Sequence, residues 1–163
     1  MELKFFTVDE GYIQYLKKYD SKVPDNYSST KPFIGVLFRI NGLDYIAPLT
    51  SAKPKHEKIK NSSPTAFKVF ENNTNQKMLA LVQLNNMIPV KSSNIQKLDV
   101  ATFDLKYQFL LLKEINYIRS NKDKLIKKAQ KLYDMVTIKQ ISNFVDFSCD
   151  FKALEAASQE FKR

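Results

Sequence analysis

The run FIGVLFRI-NG-LDYIAPL, residues 33–49, constrains the fold of this chain more than any other stretch. Two segments rich in β-branched and aromatic residues flank Asn41-Gly42. That dipeptide readily takes the two positive φ angles of a type I′ turn. A tight hairpin is predicted, and its two open ends must lie side by side, because antiparallel strands run back along each other. Gly35 inside the first strand predicts a bulge or a close backbone approach. Pro48, late in the second, predicts a strand that lies at an edge or is finishing.

More strand follows. AFKVF (66–70) and MLALVQL (78–84) are joined by the turn-like ENNTNQK, and NMIPV (86–90) adds a short extended piece. The periodicity then changes. Leu105, Phe109, Leu112 and Ile115 recur at helical spacing between Thr102 and Ile118. Leu125, Ala129, Leu132 and Val136 continue it, with Asn121 as the cap of a second helix, and a third helix is predicted from about Asp150. Near the N-terminus Asp9 can cap a short helix with Tyr12, Leu16 and Tyr19 on one face, ended by Pro24. The expected class is α+β. The first two thirds form a mostly antiparallel sheet, the last third is helical, and residues 1–163 make a single domain.

Composition narrows the function. There are 26 Lys and Arg against 17 Asp and Glu, a net charge of +9, and all the basic residues but Arg39, Arg119 and Arg163 are lysine. Such a surface suits a polyanion, since lysines gain by displacing counterions from phosphates. One cysteine, Cys149, excludes an internal disulfide and a cysteine-based metal site, and reads as a small buried hydrophobe. With one histidine besides, no His/Cys metal cluster can be assembled, and no metal or cofactor is expected. Three glycines leave no Gly-rich phosphate loop. No apolar run of about 18 residues and no secretory leader are present, so a cytoplasmic protein without a membrane span is expected.

The stretch IAPLTSAKPKH (46–56) ends a strand with Thr50, Ser51, Lys53, Lys55 and His56 close together. The hairpin brings this end beside the start of its partner strand, just after Lys31. Lysines and hydroxyls without a metal fit RNA cleavage by its own 2′-hydroxyl. That reaction needs the hydroxyl deprotonated, the 5′-oxygen protonated and the charge on phosphorus stabilised. Tyr12, Tyr27 and Phe33 are candidate aromatic platforms for bases. Lys55, Lys58, Lys60 and Arg119 are candidate backbone contacts. The same residues also fit a solvated turn with surface cations, or an RNA-binding module without chemistry. A DNA-binding regulator is disfavoured, since no helix-turn-helix pattern stands out.

The chain resembles the ToxN/AbiQ family of type III toxin–antitoxin ribonucleases and, within it, looks like the CptN branch. KFFTVDEGYIQYLKKYDSKVP, KPFIGVLFRINGLDYIAPLTSAK, SSPTAFKVF, LALVQLNNMIPV and LLLKEINYIRSN carry the likeness over nearly the whole chain. The second block is the most specific, being long and free of gaps. The resemblance implies a twisted antiparallel sheet core of the MazF/Kid toxin type with added helices. It implies a metal-independent endoribonuclease that leaves a 2′,3′-cyclic phosphate. A small pseudoknotted antitoxin RNA, cut by the toxin from a repeat array, is expected to bind back and inhibit it in a closed toxin–RNA assembly that acts in abortive infection. By position the family's active-site lysine falls on Lys31, and its T-S-x-K on Thr50, Ser51 and Lys53. Tyr12, Tyr27 and Phe33 fall on groove positions, and His56 on a histidine of the same loop.

Overall fold

The structure is a computed structural model, and it describes residues 3–25, 34–71 and 77–162. Among these, seven strands form one antiparallel sheet and five α-helices pack around it. In chain order the elements are β1 (Phe5–Val8), α1 (Glu10–Lys17), β2 (Ile34–Ile40), β3 (Leu43–Ser51), β4 (Ala66–Phe70), β5 (Met78–Gln83), β6 (Ile88–Pro89) and β7 (Ile95–Lys97). The helices α2 (Leu105–Ser120), α3 (Lys122–Thr137), α4 (Ser142–Phe147) and α5 (Phe151–Glu160) follow. The sheet order is β4-β5-β3-β2-β1-β7, with β6 also on β3. The α+β class expected from the sequence is the one observed.

The hairpin forms as its turn chemistry dictates. Asn41 and Gly42 take φ of +52° and +79°, and Ile40 pairs with Leu43. Gly35 makes the predicted close approach: a Cβ there would lie 2.6 Å from the Ala47 carbonyl oxygen and 2.7 Å from Ile46 Cγ1. Pro48 departs from expectation, since β3 is an internal strand that runs on to Ser51. On the side away from β2, β3 pairs with β6 at Tyr45 and Ile46 and with β5 from Leu49 to Ser51. Pro48 occupies the gap between those two ladders. An imino acid is tolerated there because the strand's hydrogen bonding is already interrupted.

Strands β1 and β7 were not foreseen. Four and three residues long, they are recruited by pairing with β2 and with each other. Helix α3 buries Leu125, Ala129, Leu132 and Val136, as its spacing predicts. Asn121 is both the C-cap of α2 and the N-cap of α3, but its side chain turns back to α2: Nδ2 donates to the Tyr117 carbonyl at 2.9 Å. Asp150 caps α5, its Oδ1 accepting from the Ala153 N–H at 3.1 Å.

Helix α2 is turned from the predicted face. Leu111, Glu114, Ile115 and Ile118 point inward, whereas Leu105, Phe109 and Leu112 are 68 %, 61 % and 53 % exposed. Its central sequence, FLLLKEINYI, is apolar nearly all round, so periodicity alone selects no face. The choice is made by contacts with other elements, such as those of Tyr117 with the rings of Phe67 and Phe70 of β4 about 6 Å away. In α1, Tyr12 and Leu16 are fully buried as expected, but Tyr19 is 52 % exposed.

The C-terminal helix is bound to the sheet by a carboxylate. Glu155 Oε2 accepts from the Tyr45 hydroxyl at 2.6 Å and from the Tyr133 hydroxyl at 2.7 Å. Burial, and then this carboxylate, push the Tyr45 hydroxyl far above its ordinary pKa, so it stays a donor. Cys149 is buried, and burial raises its thiol to about 12, consistent with a packing role.

Candidate active site and RNA interface

The register places the start of β2 beside the end of β3. Gly35 pairs with Pro48, so β2 begins beside the point from which β3 runs on as Leu49–Ser51. Beyond Pro48, β3 is held by β5 instead, through Leu49 with Val82, Thr50 with Leu81 and Ser51 with Ala80. The Ala52 N–H extends the ladder to the Leu79 carbonyl at 3.2 Å. Lys31, Tyr27 and Phe33, named above as site residues, lie outside the described residues.

Thr50 and Ser51 are adjacent on a strand, so their side chains leave opposite faces of the sheet. Thr50 shares its face with Leu81, and Ser51 shares the other with Ala80. Thr50 is half-buried, Ser51 is exposed, and the strand ends there. Lys53, Lys55, Lys58 and Lys60 are exposed on the segment that follows, as surface contacts for a polyanion require.

That segment turns in a 3₁₀ helix, Pro54–Lys58, which buries His56 to 6 % exposure. Pro54 suits the first helical position because its missing N–H has no partner there to lose. His56 Nδ1 accepts from the Lys53 N–H at 3.1 Å, and the His56 N–H donates to the Lys53 carbonyl at 2.8 Å. Nδ1 is therefore the unprotonated nitrogen, and Nε2 carries the proton. In this tautomer His56 is a hydrogen-bond donor rather than a base.

Burial, then the charges of Lys55 and Lys53, hold the His56 pKa below its ordinary 6.5. The unfolded chain thus takes up a proton more readily than the folded one. The resulting stability is complete above pH 6.5 and is lost as the pH falls through 6.5 and on through the lowered value. Urea unfolding above and below pH 6.5 should show this loss in the wild type and a smaller one in His56→Asn, whose amide keeps an acceptor but does not titrate. Equal losses in both proteins would remove His56 as the cause.

His56, Lys55 and Lys60 border a cleft of about 640 Å³. Its floor is the β4–β5 face, with Ala66, Leu81 and Gln83, and its far wall is α4, with Phe144 and Phe147. Lys128 from α3 holds the 3₁₀ side in place, its Nζ donating to the Asn61 and Ala66 carbonyls at 2.6 and 2.9 Å. Sequence reasoning named the lysines and His56 but missed Gln83 and Phe147. Both lie far along the chain from T-S-x-K, and nothing local marks them.

One expected RNA contact is corrected, and a second stands apart from the strand end. Tyr12 is 0 % exposed, its hydroxyl donating to the Pro89 carbonyl at 2.5 Å and lying 2.9 Å from Ser158 Oγ. Its ring meets Phe161 edge-on, so it is a core residue with no surface left for a base. Arg119 lies at the end of α2, where its Nε donates to the Leu3 carbonyl at 2.8 Å. It borders a separate hollow with Lys4, Lys97 and Leu98 on the β1–β7 side of the sheet, and the strand order separates it from Thr50 and Ser51. Among the described residues no three His, Cys, Asp or Glu side chains cluster as metal ligands, and no helix is long and apolar enough to cross a membrane.

The family model described as toxin ToxN of type III toxin–antitoxin systems matches residues 4–159. The endoribonuclease ToxN of Pectobacterium atrosepticum is 35 % identical over 164 residues, which cover 98 % of this chain and 94 % of that protein. The solved structure of AbiQ, reported as a lactococcal anti-phage endoribonuclease of the type III toxin–antitoxin system, superposes with a TM-score of 0.88 at 32 % identity, covering 98 % and 97 % of the two chains. A second structure, reported for selective toxin inhibition by a non-coding RNA pseudoknot, gives a TM-score of 0.82 at 35 % identity and covers 98 % of each chain.

Proposed function

This chain belongs to the ToxN family of type III toxin–antitoxin toxins, and on that premise we propose that it is an endoribonuclease that cleaves RNA without a metal, through the substrate's own 2′-hydroxyl. In the cleavage the 2′-oxygen loses its proton and bonds to the adjacent phosphorus. The bond to the 5′-oxygen breaks, that oxygen takes up a proton, and a 2′,3′-cyclic phosphate remains.

One observation carries the site. The beginning of β2 and the T-S-x-K end of β3 are neighbours by register. Lys31 precedes β2 by three residues in the sequence, and Lys53 follows β3 by two. We assign Lys31 and Lys53 to the charge that grows on the phosphoryl oxygens, where positioned cations act most strongly. Thr50 and Ser51 hold the phosphate or orient the 2′-hydroxyl. Because their side chains leave opposite faces, the phosphate sits across the open end of β3 and not on either face of the sheet. Lys55, Lys58 and Lys60 hold the RNA backbone, and His56 contributes its Nε2–H.

The inhibitor in this reading is a small pseudoknotted RNA that the protein cuts from a repeat array and keeps, its terminal phosphate occupying the same strand end. Protein and RNA close into one assembly, and loss of the RNA releases the toxin during phage infection. The support is the full-length likeness to proteins reported for toxin inhibition by a non-coding RNA pseudoknot and for anti-phage endoribonuclease activity.

The test is incubation of the protein with A-rich RNA in excess EDTA. Fragments ending in 2′,3′-cyclic phosphate, formed at the same rate with and without the chelator, are the expected result. Cleavage abolished by EDTA and restored by a divalent cation would overturn the mechanism. Intact RNA bound tightly would make the protein a binding module.

A further inference from the structure

The cleft between the 3₁₀ turn, the β4–β5 face and α4 is larger than the strand-end site requires, and most of its wall takes no part in the chemistry assigned above. Its volume, about 640 Å³, falls within the range of small-molecule sites. It is not remote from the reaction. Leu81 forms part of its floor and is the ladder partner of Thr50, so the cleft opens on the Thr50 side of the sheet, one strand away from the scissile position.

Its chemistry is uneven in an informative way. Among the described residues the lining includes Lys55 and Lys60 and not one carboxylate. The α4 part of the lining includes Phe147, which is 58 % exposed although it borders a cationic hollow. A large apolar ring left open to water beside lysines matches a ligand that is both anionic and flat. An aromatic stacks on a base while cations hold the phosphate next to it. Gln83 also lines the cleft, two residues along β5 from Leu81 and therefore on the same face. Its half-buried amide makes no side-chain hydrogen bond among the described residues. One carboxamide offers a donor and an acceptor side by side, the arrangement that reads a base edge. Asn85 steadies the wall, its Nδ2 donating to the Phe147 carbonyl at 3.4 Å.

We propose that this cleft is the specificity pocket of the nuclease: it takes one nucleobase of the RNA strand flanking the scissile phosphate, stacked on Phe147 and read at its edge by Gln83. The proposal rests on the ribonuclease reading above. An apolar peptide is a poor occupant, because Lys55 and Lys60 would find no anionic partner in it. A nucleotide satisfies the ring, the cations and the amide at once.

The experiment is cleavage of an RNA pool randomised around one site, with the fragment ends sequenced, for the wild type, Gln83→Leu, Phe147→Ala and Phe147→Tyr. Gln83→Leu is expected to flatten the base preference at a single position near the cut. Phe147→Ala is expected to raise KM roughly tenfold, the loss of one stacked base, and Phe147→Tyr to restore it. Phe147 is exposed, so its variants should melt like the wild type, and melting curves establish that. A wild-type preference profile and KM retained in both Gln83→Leu and Phe147→Ala would overturn the pocket. If the wild type cleaves no RNA, the ribonuclease reading fails. The pocket is then judged by binding of short single-stranded RNAs that differ at one base: discrimination lost in Gln83→Leu upholds it, and identical affinities for all proteins and RNAs reject it.

Discussion

Ser51→Ala is expected to cut the rate of RNA cleavage by roughly 10²-fold, the loss that follows when a group positioning the reacting atoms is removed. The size follows from the kind of work assigned to the residue. A hydroxyl that orients the attacking 2′-hydroxyl acts on the geometry of the reaction more than on the affinity for RNA, so the loss belongs in kcat more than in KM. The surroundings of Ser51 make the experiment clean. It is the exposed last residue of β3, and its ladder partner Ala80 offers it no polar group. Truncation therefore removes an oxygen without opening a cavity or stranding a buried polar atom. Thermal unfolding and equilibrium RNA binding should both stay close to wild type. A variant that folds, binds RNA and cleaves it at the wild-type rate would move the reaction away from the end of β3.

The largest effect on stability is expected from Gly35→Ala. A methyl group there meets the Ala47 carbonyl oxygen at 2.6 Å and Ile46 Cγ1 at 2.7 Å, well inside van der Waals contact. The oxygen belongs to the backbone of the neighbouring strand, so no rotamer change can clear it. The strands must separate or slip, and overpacking of this kind costs about 3 kcal/mol. For a protein of this size that lowers Tm by roughly 6–12 °C. Gly35 also pairs with Pro48, where β3 passes from β2 to β5. A shift at that point moves Thr50 and Ser51 as well, so activity should fall at temperatures where the variant is still folded. Unfolding at the wild-type temperature would mean that the strands approach less closely than the hairpin geometry indicates.

The two substitutions separate what the local sequence encodes from what packing adds. Turn chemistry, capping and strong one-sided periodicity act over a few residues, and each is legible where it occurs. Asn41-Gly42 makes its turn, Asp150 caps its helix, and the Leu125–Val136 stripe turns inward. The T-S-x-K end of β3 is legible for the same reason, since a hairpin with a two-residue turn has only one register. Pairing alone recruited β1 and β7, because a strand of three or four residues is stabilised by its neighbours and not by its own pattern. The inward face of α2 was likewise settled by contact, its sequence being apolar on every side.

For the site itself, residue chemistry determined by sequence alone the cationic, hydroxyl-bearing strand end and the polyanion it suits. Only the tertiary structure decided that Tyr12 belongs to the core, that Arg119 borders a different hollow, and that Gln83 and Phe147 line one cleft with the lysines. The physical reason is distance along the chain. Hydrogen bonds within a turn or a helix are specified by neighbours in sequence. Burial and the meeting of remote side chains depend on how whole elements stack, and no short stretch of residues carries that information.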